Sequence, residues 1–223
     1  MTVYDLASDS VRNLNQGLHD SPADQWRVLH PAGSHCIAAG LDAAIEIDIE
    51  GHVGYYCAGM NKQASITING SAGPGVAENM MSGQVRVRGN VSHCAGASAH
   101  GGLLVIEGDA SARCGISMKG IDIVVAGSVG HMSAFMAQTG RLVVCGDAGD
   151  FLGDSIYEAV IYVAGQVGEL GSDCVEKKMT AEHLQSLTVL LSVAGVDANP
   201  DSFRRYGSAR KLYHFNIDHA SDY

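Results

Sequence analysis

Glycine returns every nineteen residues through the middle of this chain, and no other feature restricts the possible folds as strongly. The seven leading glycines are Gly51, Gly70, Gly89, Gly108, Gly127, Gly146 and Gly165. A second small residue follows each of them after three positions, and a third follows after seven. Copies that stay in phase in this way indicate one structural unit stacked on itself, because a fixed period near twenty residues is typical of solenoids.

Each unit carries a strand pattern directly before its leading glycine. Two aliphatic residues with one residue between them, such as Ile47 and Ile49 or Ile123 and Val125, give the alternation of a half-buried strand. We expect the glycine to end that strand, since a residue without a Cβ allows a positive φ or a tight bend. Valine or alanine two positions later indicates a second inward site, and a second extended run then leads into the next unit.

The length of the unit selects the fold. Nineteen residues are too few for a helix pair or a propeller blade, and the asparagine-and-leucine pattern of leucine-rich repeats is missing. We therefore predict an all-β fold, a right-handed parallel β-helix of about seven 19-residue coils with the leading glycines at its corners. The predicted boundaries are an N-terminal arm and cap over 1–40, the β-helix over 41–178, and a C-terminal helical cap and tail over 179–223.

The two ends are predicted to cover the stack, because open sheet edges attract other chains. Residues 1–20 show a helical stripe of aliphatic residues behind a possible cap at Ser8 or Ser10. Near the other end, Thr180 can begin a helix that Gly195 stops. Arginines and aromatic residues follow, including Tyr213 and Phe215. This tail either covers the last coil or grips a partner.

Charge and composition exclude some partners. The chain of 223 residues has a formal net charge of −10, so a nucleic-acid surface is not expected. The start is polar and resembles no signal peptide, and no apolar run is long enough to span a bilayer, so we expect a cytoplasmic protein. The six cysteines lie outside any CxxC spacing, which favours reduced thiols in or near the core.

No motif for catalysis is present: there is no P-loop, nucleophile elbow, HExxH or EF-hand loop. Five residues in coils three to five could ligate a metal: His93, Cys94, His100, Cys114 and His131. They stand at different phases of the repeat, except for His93 and His131, which share a phase but lie two coils apart. Since metal ligands must converge, we predict neither a metal site nor any catalytic or cofactor-binding residue in this chain.

Methionines gather on one side of the predicted rod, nine to eleven positions after their leading glycines. Methionine suits adaptable interfaces, and alternation along the chain must turn some of these residues outward. The candidate partner interface consists of Met60, Asn61, Lys62, Glu78, Asn79, Met80, Met81, Met118, Lys119, Met136 and Gln138. The alternative interpretation is a loosely packed core column with solvated neighbours.

The spacing G-x2-G-x3-G resembles the GXGXG domain, the β-helix at the C-terminal end of the glutamate synthase large subunit. Longer stretches are similar to the glutamate synthase-like small subunit of N-methylglutamate synthase. They include Gly54–Tyr55–Tyr56–Cys57–Ala58–Gly59–Met60–Asn61 and Gly130–His131–Met132–Ser133–Ala134–Phe135–Met136. The resemblance implies a hetero-oligomer with an amidotransferase-like subunit and a glutamate synthase-like subunit that holds FMN and iron–sulfur clusters.

The same resemblance implies a structural role, because the β-helix of this family is regarded as non-catalytic. Family amidotransferases use an N-terminal cysteine, whereas the second residue here is Thr2. The predicted function is a scaffold in an enzyme that converts methylamine and L-glutamate to N-methyl-L-glutamate and ammonia. Two alternatives stay open: a subunit of a formylmethanofuran dehydrogenase-type complex, and a stand-alone β-helix enzyme such as a lyase or an acyltransferase.

Overall fold

The structure is a computed structural model that describes residues 1–20 and 23–211. Within them, one sheet contains eleven strands in the spatial order β1 to β9, then β11, then β10. The strands are β1 (Thr2–Asp5), β2 (Gln25–Leu29), β3 (Glu46–Glu50), β4 (Ser65–Ile68), β5 (Gln84–Val87), β6 (Leu103–Ile106), β7 (Lys119–Val125), β8 (Thr139–Val144), β9 (Val160–Val163), β10 (Cys174–Lys177) and β11 (Arg204–Ser208). The helices are α1 (Val11–Asp20), α2 (Ala181–Ala194) and a short 3-10 helix, Pro200–Ser202.

The register of the sheet confirms the parallel β-helix. From β3 to β9 every strand is parallel to the next, and facing residues differ by nineteen, as Ile47 faces Ile66 and Leu142 faces Ile161. The exception is Lys119, which faces Thr139 across a bulge at the start of β7. We call the coil that starts at Gly51 coil one and the coil that starts at Gly165 coil seven. A residue's position is counted from the leading glycine of its coil. One earlier turn is longer, because Trp26 on β2 faces Ile47, 21 residues away.

The interior is built from columns of equivalent residues. Inward aliphatics of successive strands, such as Ile47, Ile66 and Val85, are almost completely buried. The valine or alanine at position 2 forms a second parallel column, in which Val53 bridges Ala72 and Ala72 bridges Val91. Both inward sites expected from the sequence are therefore present, and each coil buries its apolar face only by stacking on its neighbours.

The leading glycines are needed for a reason other than the one predicted. Gly51 is the one leading glycine with a positive φ, at 136°. At the others a Cβ would overlap the coil before: at Gly127 it would lie 2.7 Å from the carbonyl oxygen of Gly108 and 2.9 Å from its carbonyl carbon. Real Cβ atoms do not come so close to backbone. The corners thus require glycine because stacked backbones touch there, and a bend is not the cause.

Positive φ values occur instead at positions 5, 7 and 9. In coil one these are Tyr56, Ala58 and Met60, and the other coils repeat the pattern. The second extended run predicted in each unit is therefore a series of turns in most coils. Its N–H groups point alternately to the preceding and the following coil, since Ala58 donates to Ile37 and Met60 donates to Glu78. In coils one to five, the residues at positions 6, 7 and 10 of this segment are buried, while those at positions 9 and 11 reach the surface.

A ladder of side-chain acceptors runs up the corner at position 1. The side chain of each residue there accepts a hydrogen bond from the backbone N–H of its equivalent in the next coil. The six rungs join His52 to Ser71, Ser71 to Asn90, Asn90 to Asp109, Asp109 to Ser128, Ser128 to Asp147 and Asp147 to Gln166, at 2.7 to 3.3 Å. The ladder bonds N–H groups at a bend where strand pairing has stopped.

Removing one rung should lower stability measurably. Asp109 Oδ1 accepts from Ser128 N at 2.8 Å, and Asp109→Ala leaves that N–H to solvent. We expect a loss of about 1–2 kcal/mol in the free energy of unfolding, measured with urea, because the acceptor is charged. Asp48→Ala is the matched control, since Asp48 is exposed on β3 and its side chain has no hydrogen bond with any other described residue. Equal losses in both variants would contradict a structural role for the ladder.

The N-terminal end is part of the β-helix, whereas an arm and a cap were predicted there. β1 and β2 continue the parallel stack beyond the first leading glycine, so residues 1–40 contain strands of the β-helix itself. Helix α1, capped by Ser10, places buried Leu14 and Leu18 against the end of the core. Asn15 fastens the helix by accepting from Ala38 N and donating to the carbonyl of Cys36. The predicted stripe and one of its two predicted caps are therefore confirmed.

The C-terminal helix lies on the side of the rod, not over its end as predicted. Thr180 and Gly195 do cap α2 as expected. Its buried face, including Leu187 and Leu190, packs with Phe203 on the outward apolar residues of the later strands, Leu103, Val105, Val124, Val143 and Tyr162. The last coil is closed by β11, which pairs antiparallel to β9, and by β10, which pairs antiparallel to β11. The predicted tail residues Tyr213 and Phe215 lie outside the described residues.

Polar contacts hold α2 in place. Arg141 donates to Ser186 on the helix and binds both carboxylate oxygens of Asp122 on the neighbouring strand. Arg86 donates to the carbonyl of Ala194, where the helix ends, and a cation there is favoured by the helix dipole. Neither helix is long and apolar enough to cross a bilayer, within the part of the chain that the structure describes.

Candidate partner interface

Three of the candidate interface residues lie inside the rod. Asn61, Met80 and Met118 have no exposed surface, and all three stand at position 10 of their coils. Asn61 bonds to backbone there, accepting from Ala64 N and donating to the carbonyls of Ala64 and Ser82. Their prediction as surface residues is wrong, because the turn segment directs position 10 into the core, as it does positions 6 and 7.

The other eight candidates reach the surface. Met60, Met81 and Met136 are 47%, 44% and 36% exposed. Lys62, Lys119 and Gln138 are exposed, while Glu78 and Asn79 are half-buried. These residues occupy positions 8, 9 and 11 of coils one, two, four and five, so together with the same positions of coil three they lie on one side of the rod. We call this side the methionine wall and define it as residues 54–63, 73–82, 92–101, 111–120 and 130–139.

The methionine wall is poor in charge. Four of its fifty residues are charged, namely Lys62, Glu78, Arg113 and Lys119, against 17% of the whole chain. Lys62 is paired with Asp42 at 2.8 Å, and this hydrogen bond is the largest cause of the lowered pKa of Asp42. The side chains of Arg113 and Lys119 make no ion pair or hydrogen bond with another described residue. Three cations and one carboxylate give the wall a charge of +2 on a chain of −10.

Sequence reasoning missed two exposed aromatic residues near the wall. Tyr55 is 50% exposed and stacks on His35 with ring centroids 4.1 Å apart. Phe151, in coil six, is 39% exposed and meets the edge of His131 at 5.4 Å. A signal existed, because both residues follow a leading glycine by four or five positions, at a corner that is otherwise polar or small. They extend the apolar surface at both ends of the wall.

The wall ends at coil six, where the surface becomes acidic. Exposed or half-buried carboxylates follow there in coils six and seven, at Asp147, Asp150, Asp154, Glu158 and Glu169. Three of them serve the fold, since Asp147, Asp150 and Asp154 accept backbone N–H groups of coil seven. The change of character from a neutral to an acidic surface therefore marks one boundary of the candidate interface.

The residues with ligand or nucleophile chemistry do not assemble into a centre. Within residues 1–20 and 23–211 no three His, Cys, Asp or Glu side chains are grouped so that they could hold a metal ion. All six cysteines are free thiols, and burial raises the pKa of Cys57 and of Cys114 to about 12. Such thiols stay protonated at neutral pH, and the protonated form is a poor nucleophile.

Strands in constant parallel register, joined by turn segments with a repeated backbone conformation, define a β-helix protein with a methionine-rich side wall. The chain is 58% identical over 228 residues to Protein GlxC of Rhizobium meliloti (strain 1021), and the alignment covers 100% of both chains. It therefore belongs to the GlxC family. No protein-family model matches it. No solved structure matches it either.

Proposed function

We propose that this GlxC-family chain is the non-catalytic scaffold subunit of a glutamate synthase-like complex. The observation that carries the proposal is the constant nineteen-residue spacing of the leading glycines, in which each one from Gly70 onward lies against the leading glycine of the coil before. The first two glycines of the G-x2-G-x3-G spacing of the GXGXG domain have a physical reason in such a stack, because a Cβ at Gly70 or Gly73 would collide with the backbone of the coil before. The long stretches similar to the small subunit of N-methylglutamate synthase point in the same direction.

The reaction of that complex would convert methylamine and L-glutamate to N-methyl-L-glutamate and ammonia. In this proposal the chemistry belongs to partners, an amidotransferase-like subunit and a subunit with FMN and iron–sulfur clusters. The rod contributes position: a stiff stack of coils holds the two partners in a fixed relation, so that a reactive amine passes between them without loss to solvent. Rigidity follows from the two columns of parallel pairing along the rod.

Purification of the tagged full-length chain from its native source tests this function. We expect a flavin-containing subunit and an amidotransferase-like subunit to co-purify in fixed proportion, and the purified complex to form N-methylglutamate from methylamine and L-glutamate. The chain expressed alone should show neither flavin absorbance nor turnover. Turnover by the isolated chain, or its recovery from the native source without a flavoprotein, would overturn the proposal.

A further inference from the structure

The methionine wall combines three properties that a free protein surface seldom joins. It exposes large apolar side chains, it has few charges, and it leaves two cations without a partner. The exposed methionines Met60 and Met81 lie on adjacent coils, with Tyr55 on the same coil as Met60. Depletion of charge together with enrichment of methionine and aromatic residues is the compositional signal of the core of a protein–protein interface.

The size of the wall fits a folded protein partner. Five coils at roughly 4.8 Å give a length of about 24 Å. Ten residues of chain span at most about 33 Å, so the wall covers up to about 800 Å². Because the ten residues form turns and are not extended, the real area is smaller and fits the lower end of the size range of protein–protein interfaces. A peptide or a small ligand would occupy only a fraction of it.

Charge distinguishes between possible occupants. A second copy that docked through the same wall would place like charges together, because the wall carries +2. Nucleic acid and anionic membranes require dense basic residues, and the wall offers Arg113 and Lys119 as its two free cations among the described residues. Its complement is an apolar surface with isolated carboxylates opposite these two side chains.

We propose that the methionine wall is the docking surface for a folded subunit whose matching face is apolar and carries acidic residues opposite Arg113 and Lys119. This inference rests on the proposed function, since it assigns one face of the scaffold to one of the partners. Met60, Met81 and Met136 supply adaptable apolar contacts, and Tyr55 supplies a rigid aromatic one. The acidic surface of coils six and seven lies outside the contact.

Charged substitutions on the wall test the apolar part of the contact. Met60→Lys and Met81→Glu should each remove most of the co-purified partner while the melting temperature of the isolated chain stays unchanged, because both side chains are about half exposed. Val193→Lys is the matched control: Val193 is 64% exposed on α2, on the sheet side of the rod. Normal recovery of the partner by both wall variants, or its loss with Val193→Lys alone, would overturn the inference.

Charge reversal tests the polar part. Arg113→Glu and Lys119→Glu should weaken capture of the partner at low salt by about tenfold or more, with a smaller effect at high salt, because ionic strength screens exposed charges. Lys178→Glu is the control, an exposed lysine outside the wall. Equal effects of Lys178→Glu and Lys119→Glu would contradict a specific contact at the wall.

The arms of the experiment separate the two proposals. If the unmodified chain captures no flavoprotein or amidotransferase-like subunit, the proposed function fails. If it captures a subunit and all wall variants capture that subunit equally well, the function stands and the assignment of the wall is wrong. Self-association of the isolated chain, lost in Met81→Glu and measured by light scattering, would replace the partner subunit with a second copy and overturn the inference.

Discussion

Gly127→Val should destabilise the protein by roughly 3 kcal/mol or more, measured as the urea dependence of unfolding. A Cβ at this corner would lie 2.7 Å from the carbonyl oxygen of Gly108 and would also collide with the carboxylate of Asp109. The backbone of one coil must therefore move away from the next, and both the strand pairing and the corner ladder resist that movement. The carbonyl of Gly108 cannot move aside as a flexible side chain could. We therefore expect a loss of stability larger than that of most single substitutions.

Alanine substitutions distinguish the stability lost to a collision with the neighbouring coil from the stability lost whenever glycine is replaced. Gly127→Ala adds only the offending Cβ and should already lose a large part of the stability lost by the valine variant. Gly207→Ala is the control, because a Cβ there meets its nearest atom, the carbonyl oxygen of Ala159, at an ordinary 3.7 Å. An unchanged melting temperature in Gly127→Ala would show that the coils are less closely stacked at the corner than described.

Asn61→Leu should cost about 2–4 kcal/mol although leucine has a similar size. The buried amide makes three hydrogen bonds, to the N–H and carbonyl of Ala64 and to the carbonyl of Ser82. Leucine leaves the Ala64 N–H and the Ser82 carbonyl without the amide, while the Ala64 carbonyl keeps the hydrogen bond from Gln84 N. Each unsatisfied group carries a desolvation penalty of about 1–3 kcal/mol. Differential scanning calorimetry of the isolated chain measures the loss.

The Asn61→Leu variant also distinguishes a buried Asn61 from an Asn61 that contacts a partner. If Asn61 were an interface residue, as the sequence alone suggests, the substitution would leave the isolated chain stable and weaken only the binding of a partner. Gln138→Leu is the control on the wall, where the side chain is exposed and has no hydrogen bond with another described residue. A stable Asn61→Leu variant with normal melting would contradict the burial of position 10.

The fold could be predicted because one signal was repeated seven times. A period of nineteen with alternating aliphatics admits few architectures, and caps such as Thr180 and Gly195 are local features that sequence reports well. The site of α2 was not predictable in the same way. Its docking depends on outward residues of distant strands, Val124 and Val143 among them, which look like strand residues of any buried sheet. Long-range packing of this kind leaves no local pattern.

The reason for the glycines was misjudged because sequence cannot distinguish torsional freedom from lack of space. Gly127 and its equivalents other than Gly51 have ordinary φ values, and what excludes a side chain there is the neighbouring coil. Conversely, several positions with φ near +55°, such as Ala58 and Met136, carry side chains and gave no sign of it. Stacking overrides the preference of these residues, since a repeated hydrogen-bond pattern fixes the backbone on both sides.

The buried interface candidates could have been distinguished from the exposed ones by sequence alone. Asn61, Met80 and Met118 share position 10 with Ala99, Ala137 and Ile156, a column of mainly apolar residues that is buried throughout. Comparing equivalent positions across coils, and not neighbouring positions within a coil, would have placed them inside. The same comparison indicates that Tyr55 and Phe151 lie at the surface, because positions 4 and 5 of the other coils are mainly polar or small.

The constant register has a consequence for any assembly built on this rod. Sites on different coils are separated by whole multiples of one strand spacing, roughly 4.8 Å, so the molecule acts as a graduated ruler. Insertion or deletion of a complete nineteen-residue unit would lengthen or shorten the rod by one strand spacing without altering any corner. Insertion or deletion of a single residue would put all later coils out of register. Evolution can therefore adjust the separation of bound subunits in equal steps, and each step preserves the ladder that the seven glycines permit.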